Sequence, residues 1–202
     1  MARDRAARPE ARPLRLFVAV DLPEEVKRDL AFAVKAFRDR IPGARWTRSE
    51  GWHVTLKFLG ATWPRLLDEV RGSVAAAAAA GAPFWTSLTE LGVFPSPGRA
   101  RVVWAGLADP EGRFQLIMDA LDRDLADHFV PEKRGFTPHL TVARLNPPRD
   151  VREFAPDLVG APVPSAPFEV DRLVLYRSHL SPSGARYEPI FDAPMGSRTP
   201  AG

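Results

Sequence analysis

The stretch Trp52-His-Val-Thr-Leu-Lys-Phe-Leu-Gly60 decides how the chain is read. It is apolar, carries β-branched and aromatic residues, and is closed by a glycine, all of which are strand signals. Residues two apart on a strand share a face, so His53 and Thr55 project together with Lys57 following. Val54, Leu56 and Phe58 then fill the other side. A strand with one polar side turns that side to water or to a cleft.

The stretch has an echo 86 residues later. Pro138-His-Leu-Thr-Val-Ala-Arg-Leu145 repeats histidine, apolar, threonine, apolar, with a leucine six places after the histidine in both copies. A second match lies upstream. Arg15-Leu-Phe-Val-Ala-Val20 and Arg101-Val-Val-Trp-Ala-Gly106 each start 38 residues before their histidine, with Ala19 and Ala105 in fifth place. A helix-like segment separates each run from its histidine. The pattern predicts two β-α-β halves built to one plan, each ending in a strand that presents a histidine and a threonine.

Working outward, residues 1–13 are Arg, Ala and Pro without apolar period and read as a disordered tail. Residues 14–194 read as one bilobal domain, and 195–202 as a second disordered tail. Asp21-Leu-Pro-Glu-Glu25 starts a helix with Asp21 or Leu22 at the cap, whose buried stripe is Val26, Leu30, Val34 and Phe37. A short strand is expected over 44–48. A second helix opens at Pro64 and reaches Ala80 through six alanines, a run of high propensity with a thin packing face. Residues 83–94 predict a strand or strand pair, and Pro110-Glu-Gly112 introduces a third helix with Phe114, Ile117, Leu121 and Leu125 at helical spacing. Residues 131–138 form a loop, and 147–167 hold six prolines and predict another. A strand over 168–176, a turn at Ser181–Gly184 and a last strand through Tyr187 and Ile190 complete the chain.

The chain has 202 residues, is 45% hydrophobic and lacks cysteine. That suffices for a real core and excludes disulfides and thiolate metal sites. No apolar run approaches the roughly 20 residues a membrane helix needs. The expectation is a cytoplasmic monomer with no membrane association. The pI of 9.7 exaggerates the charge: 24 of the 28 basic residues are arginine, yet the net charge is +3. The first 13 residues hold +2 of that, so the body is close to neutral. Contact with nucleic acid must therefore be local, at an end or a single nucleotide, rather than along a basic track.

If the two halves pack around an approximate two-fold axis, two imidazoles and two hydroxyls meet in one cleft. Imidazole titrates near pH 6.5, so one ring can be neutral and the other protonated. One then takes a proton from a nucleophile while the other gives one to a leaving oxygen. Thr55 and Thr141 would donate to an anionic centre as charge builds on it. Such a set suits a phosphodiester, which needs anion stabilisation and proton transfer but no covalent enzyme nucleophile.

These two motifs resemble those of the 2H phosphoesterases. The chain is most similar to their RNA 2′,3′-cyclic phosphodiesterase branch, also called 2′-5′ RNA ligases. The resemblance is carried by Arg15–Pro23, His53–Gly60, Arg101–Trp104, Pro138–Arg144 and Leu175–Ser178 with Gly184 and Tyr187, and extends over residues 14–192. It implies an α+β bilobal, pseudo-two-fold fold, with antiparallel sheets lining a central cleft and helices outside. It implies hydrolysis of RNA 2′,3′-cyclic phosphate ends to 2′-phosphates without metal or cofactor, with reverse 2′-5′ ligation through the same groups. By motif position His53 is the proton donor and His139 the proton acceptor, while Thr55, Thr141 and Arg144 hold the phosphate. The partner implied is an RNA with a 2′,3′-cyclic phosphate end, or a cyclic nucleotide.

Plainer readings stand beside these. Lys57 reads as a rim charge and His128 as a favourable charge at the end of the third helix; His179 has no assigned role. Phe17 and Trp104 read as core residues before base-stacking ones, and Tyr176 and Tyr187 fit either. A zinc hydrolase would want three protein ligands, and no H-E-x-x-H is present. Two further alternatives are a non-catalytic module that binds nucleotides or RNA ends, and a phosphodiesterase for another small cyclic nucleotide.

Overall fold

The computed structural model describes residues 12–131, 135–181 and 184–197. The strands are β1 (Leu14–Asp21), β2 (Ala44–Trp46), β3 (His53–Thr62), β4 (Phe84–Thr86), β5 (Leu88–Phe94), β6 (Ala100–Leu107), β7 (His139–Arg149), β8 (Phe168–Val170), β9 (Arg172–Ser181) and β10 (Gly184–Pro194). The helices are α1 (Glu24–Arg38), α2 (Leu67–Ala80) and α3 (Arg113–Asp124). Two four-stranded antiparallel sheets carry the fold, in the orders β10-β9-β1-β3 and β2-β7-β6-β5, and β4 pairs with β8 apart from them. The α+β class and the two-lobed plan expected from the repeat are both present. The halves interlace: β2, from the first half of the chain, joins the second sheet, while β9 and β10 return to complete the first.

Each helix forms where apolar residues recur at helical spacing and buries that stripe. Val26, Leu30, Val34 and Phe37 do so on α1, and Phe114, Ile117, Met118 and Leu121 on α3. The start of α1 differs from expectation: its N-cap is Pro23, because Asp21 is still paired in β1. Asp109 caps α3 from outside the helix, accepting from the Arg113 and Phe114 amides at 2.7 and 3.2 Å. A short 3₁₀ turn at Pro64–Leu66 precedes α2, which buries only Val70, Val74, Ala77 and Ala78, the thin face its alanines imply.

The first sheet has two unlike faces. Leu16, Val18, Val20, Val54, Leu56, Leu173 and Leu175 enter the main core under the helices. Phe17, Ala19, Val174 and Tyr176, with Tyr187 against them, form a separate cluster on the opposite face.

Three expectations need correction. The proline-rich loop starts late, because β7 continues through Pro147 and Pro148 to Arg149 before a 3₁₀ turn at Val151–Glu153. The strand over 168–176 is two strands broken at Asp171, since β8 pairs with β4 and β9 with β1 and β10. The chain after Pro194 is held at first: the Met195 amide donates to Asp171, and the Gly196 amide to the Ala78 and Gly81 carbonyls. The tail over 1–11, the loop at 132–134, the turn at 182–183 and the tail from 198 lie outside the described residues.

Candidate active site between the two histidine strands

Both histidine strands carry a bulge at the same place. In β3, Thr55 pairs with Ala19 and Lys57 with Val18, leaving Leu56 as the extra residue. In β7, Thr141 pairs with Trp104 and Ala143 with Val103, leaving Val142 extra. One extra residue reverses the face of every side chain after it. Lys57 and Ala143 therefore turn into the core, while Phe58 and Arg144 come round to the face of His53, Thr55, His139 and Thr141. Without the bulge, a residue five places after a histidine would point away from it.

This corrects two readings made from strict alternation. Lys57 is not a rim charge: it is 5% exposed and pairs with Asp122 of α3. Phe58 does not fill the core: it is 67% exposed and tilts against Phe17, with ring centroids 6.1 Å apart.

The upstream strands echo one another with a slip of one residue. Asp21 pairs with His53, whereas Gly106 pairs with His139, so the counterpart of Ala19 is Trp104 rather than Ala105. Trp104 therefore faces the cleft while Ala105 is buried in the core. Its indole lies flat over Gly92, where a Cβ would come within 2.1 Å of the ring. Only glycine permits that approach.

Each imidazole sits among aromatic rings and is tethered by the backbone two residues before it. His53 stacks on Phe17 at 4.7 Å and meets Tyr187 edge-on at 4.8 Å; His139 meets Phe94 edge-on at 5.0 Å. His139 Nδ1 lies 2.7 Å from the Thr137 carbonyl oxygen. A carbonyl only accepts, so Nδ1 carries the proton and Nε2 is left for the cleft. His53 is held in the same way by the backbone of Gly51.

Burial is the main electrostatic influence on both rings. It lowers His53 from the ordinary 6.5 to about 4, opposed by the Gly51 hydrogen bond and the Asp21 carboxylate and assisted by Arg144 and Lys27. His139 is lowered by burial too, opposed by its Thr137 hydrogen bond and assisted by Arg144. One guanidinium thus bears electrostatically on both imidazoles. Tyr176 donates to Asp21 at 2.7 Å, and burial followed by that hydrogen bond pushes its phenol far above the usual range.

Thr47 ties the two histidine strands together. Its Oγ1 accepts from Trp52 Nε1 at 2.7 Å, next to His53, and lies 3.1 and 3.0 Å from the Thr141 and Val142 carbonyl oxygens. Its amide donates to Val142 at 2.9 Å, so Thr47 grips the β7 bulge itself.

The family model of the 2′-5′ RNA ligase superfamily matches residues 17–182. The chain belongs to that superfamily. It is 32% identical over 180 residues to an RNA 2′,3′-cyclic phosphodiesterase of Geobacillus stearothermophilus, a match covering 89% of this chain and 56% of that relative. The chain thus spans little more than half of that protein's length. It is 31% identical over 176 residues to the RNA 2′,3′-cyclic phosphodiesterase of Methanothermobacter thermautotrophicus, covering 86% and 95% of the two chains. A solved structure from Thermus thermophilus superposes with a TM-score of 0.77 at 29% identity, covering 92% of this chain and all of that one.

In this 2′-5′ RNA ligase superfamily chain, the five residues singled out from sequence lie on β3 and β7, strands of different sheets that contact one another directly. The other two histidines stand elsewhere. His128 pairs with Glu69 of α2 at 3.1 Å, and His179 with Glu188 across the β9–β10 hairpin at 2.6 Å. Sequence reading missed Phe58, Thr47 and the Asp21–Tyr176 bond. The one available hint was an arginine five places after His139, out of phase with the histidine unless the strand bulges.

Proposed function

We propose that this chain hydrolyses RNA 2′,3′-cyclic phosphate ends to 2′-phosphates, with His53 as proton donor and His139 as proton acceptor. The observation that carries the reading is the pair of backbone-tethered imidazoles on which Arg144 bears. His139, neutral with Nε2 free, accepts a proton from water as the water oxygen bonds to phosphorus in line with O3′. The P–O3′ bond breaks and His53 protonates the departing O3′, leaving the phosphate on O2′. A proton passed from His139 to solvent and one taken up by His53 restore the starting state. Thr55, Thr141 and Arg144 hold the non-bridging oxygens, where negative charge gathers in the transition state. Phe58, exposed and backed by the buried Phe17, offers a ring face to the nucleoside on the leaving-oxygen side. The reverse reaction, with an RNA 5′-hydroxyl in place of water, makes a 2′-5′ linkage through the same groups.

Burial lowers His53 to about 4, so a general acid here needs a source of stabilisation for its protonated form. The phosphate supplies it: an anion beside His53 favours the imidazolium, and the aromatic faces of Phe17 and Tyr187 suit a cation. Substrate binding thus arms the acid. Among the described residues no group of three His, Cys, Asp or Glu is placed to hold a metal ion. Among the same residues no helix is long and apolar enough to cross a membrane. The proposal keeps the reading of a cytoplasmic monomer, since one chain supplies both histidines and RNA ends arise inside cells. The test is product analysis on an RNA ending in a 2′,3′-cyclic phosphate, in the presence of a chelator. A 2′-phosphate at undiminished rate is expected; a 3′-phosphate would exchange the two histidine roles, and loss of rate on chelation would restore the metal.

A further inference from the structure

The cleft has an open margin at β2. This strand is the edge of its sheet and pairs only with β7, in a register that sets Ala44 against Leu145, Arg45 against Arg144 and Trp46 against Ala143. Opposed residues of an antiparallel pair share a face. Arg45 therefore stands beside Arg144 on the cleft face, and both are exposed. Like charges directly opposite one another destabilise a sheet. Some exposed arginines are answered by carboxylates, as in Arg113–Glu111, Arg152–Asp150 and Arg172–Asp171; what sets Arg45 and Arg144 apart is that they face one another across paired strands. Among the described residues Arg45 and Arg144 have no ion-pair or hydrogen-bond partner. Because the body of the chain is close to neutral, this pair is a local feature and not a sample of a generally basic surface.

We propose that Arg45, beside Arg144, forms a second anion subsite at this margin and takes the internucleotide phosphate that adjoins the cyclic end of an RNA chain. The inference rests on the hydrolase reading and refines its substrate to an RNA end rather than a free cyclic nucleotide. Arg144 is felt by both imidazoles, whereas Arg45 is not among the charges that bear on either. The positive strip thus begins at the reacting phosphate and runs outward by one strand, about 4.8 Å, to the sheet edge. An RNA end differs from a mononucleotide in carrying a further anionic phosphate one nucleotide away. A planar guanidinium on a long stem, facing solvent and lacking a carboxylate, is suited to grip it through paired N–H donors.

The experiment compares steady-state turnover of three substrates: adenosine 2′,3′-cyclic phosphate, an adenosine dinucleotide ending in a 2′,3′-cyclic phosphate, and the same dinucleotide with an uncharged methylphosphonate link. The wild-type chain is expected to prefer the charged dinucleotide over the neutral one by about tenfold in kcat/KM, the worth of one hydrogen bond to a charged group. Arg45→Ala is expected to erase that preference, and added salt to weaken it in the wild type. Equal turnover of charged and neutral links by the wild type would overturn the subsite, as would an Arg45→Ala variant that keeps the preference. Turnover of none of the three by the wild type would instead overturn the hydrolase reading, and the subsite with it.

Discussion

Burial of His53 couples the stability of the fold to pH. Burial lowers its imidazole to about 4, whereas in the unfolded chain it titrates near 6.5. Between those values the unfolded state binds more protons than the folded one. Stability from this group is therefore complete above about pH 6.5 and is lost as pH falls toward 4. The ring is partly exposed, so the loss is discounted for solvent screening to about 2 kcal/mol. Urea unfolding at pH 7 and pH 4.5 measures it: His53→Gln, which cannot titrate, should lose less stability than wild type by that amount. Equal losses would mean that the ring is better hydrated than its neighbours Phe17 and Tyr187 suggest. Asp21 belongs to the same balance, because its carboxylate opposes the effect of burial and is itself steadied by Tyr176.

At the scale of the element, the bulge matters most, and it is the feature least legible in the sequence. Alternation placed His53 with Thr55, and His139 with Thr141, because those pairs precede the extra residue. It failed from Lys57 onward, since nothing in Leu56-Lys57 or Val142-Ala143 marks an inserted residue. Thr47 holds the second bulge, and it escaped notice because its partners lie 94 and 95 residues away. Thr47→Val should orphan the Trp52 indole and loosen both histidine strands, lowering kcat about ten- to a hundredfold with little change in KM. Thr47→Ser keeps the hydroxyl and should recover most of that loss; a serine variant as slow as the valine one would reduce Thr47 to packing. The first bulge is anchored differently, by the Lys57–Asp122 pair between β3 and α3. Lys57→Met should cost about 1.5–3 kcal/mol in urea unfolding, because it removes a charge-assisted hydrogen bond from a shielded carboxylate. A cost below about 1 kcal/mol would show the pair to be well solvated.

For the whole molecule, the repeat was the strongest signal in the sequence, and its imperfection is informative. The histidine strands match at an offset of 86 residues, while their upstream partners pair at an offset of 85, as Asp21 with His53 and Gly106 with His139 show. That slip sets Trp104 where the first half has Ala19, and the paired bulges set Arg144 where the first half has Phe58. The two halves are therefore not equivalent: the exposed Phe58 follows the first histidine where the cationic Arg144 follows the second, although aromatic rings flank both imidazoles. The same asymmetry bears on the pH profile. The proposed mechanism needs one imidazole protonated and the other neutral, and burial lowers both from the ordinary 6.5. The bell for kcat/KM, which reports the free enzyme, should thus peak on the acid side of about pH 6.5. Bound substrate brings negative charge between the rings and raises both, so the bell for kcat should lie at higher pH. Steady-state rates on adenosine 2′,3′-cyclic phosphate from pH 4 to 9 measure both curves. A kcat/KM maximum above pH 6.5, or a rate that climbs without falling, would mean that hydroxide rather than the imidazole pair governs the reaction.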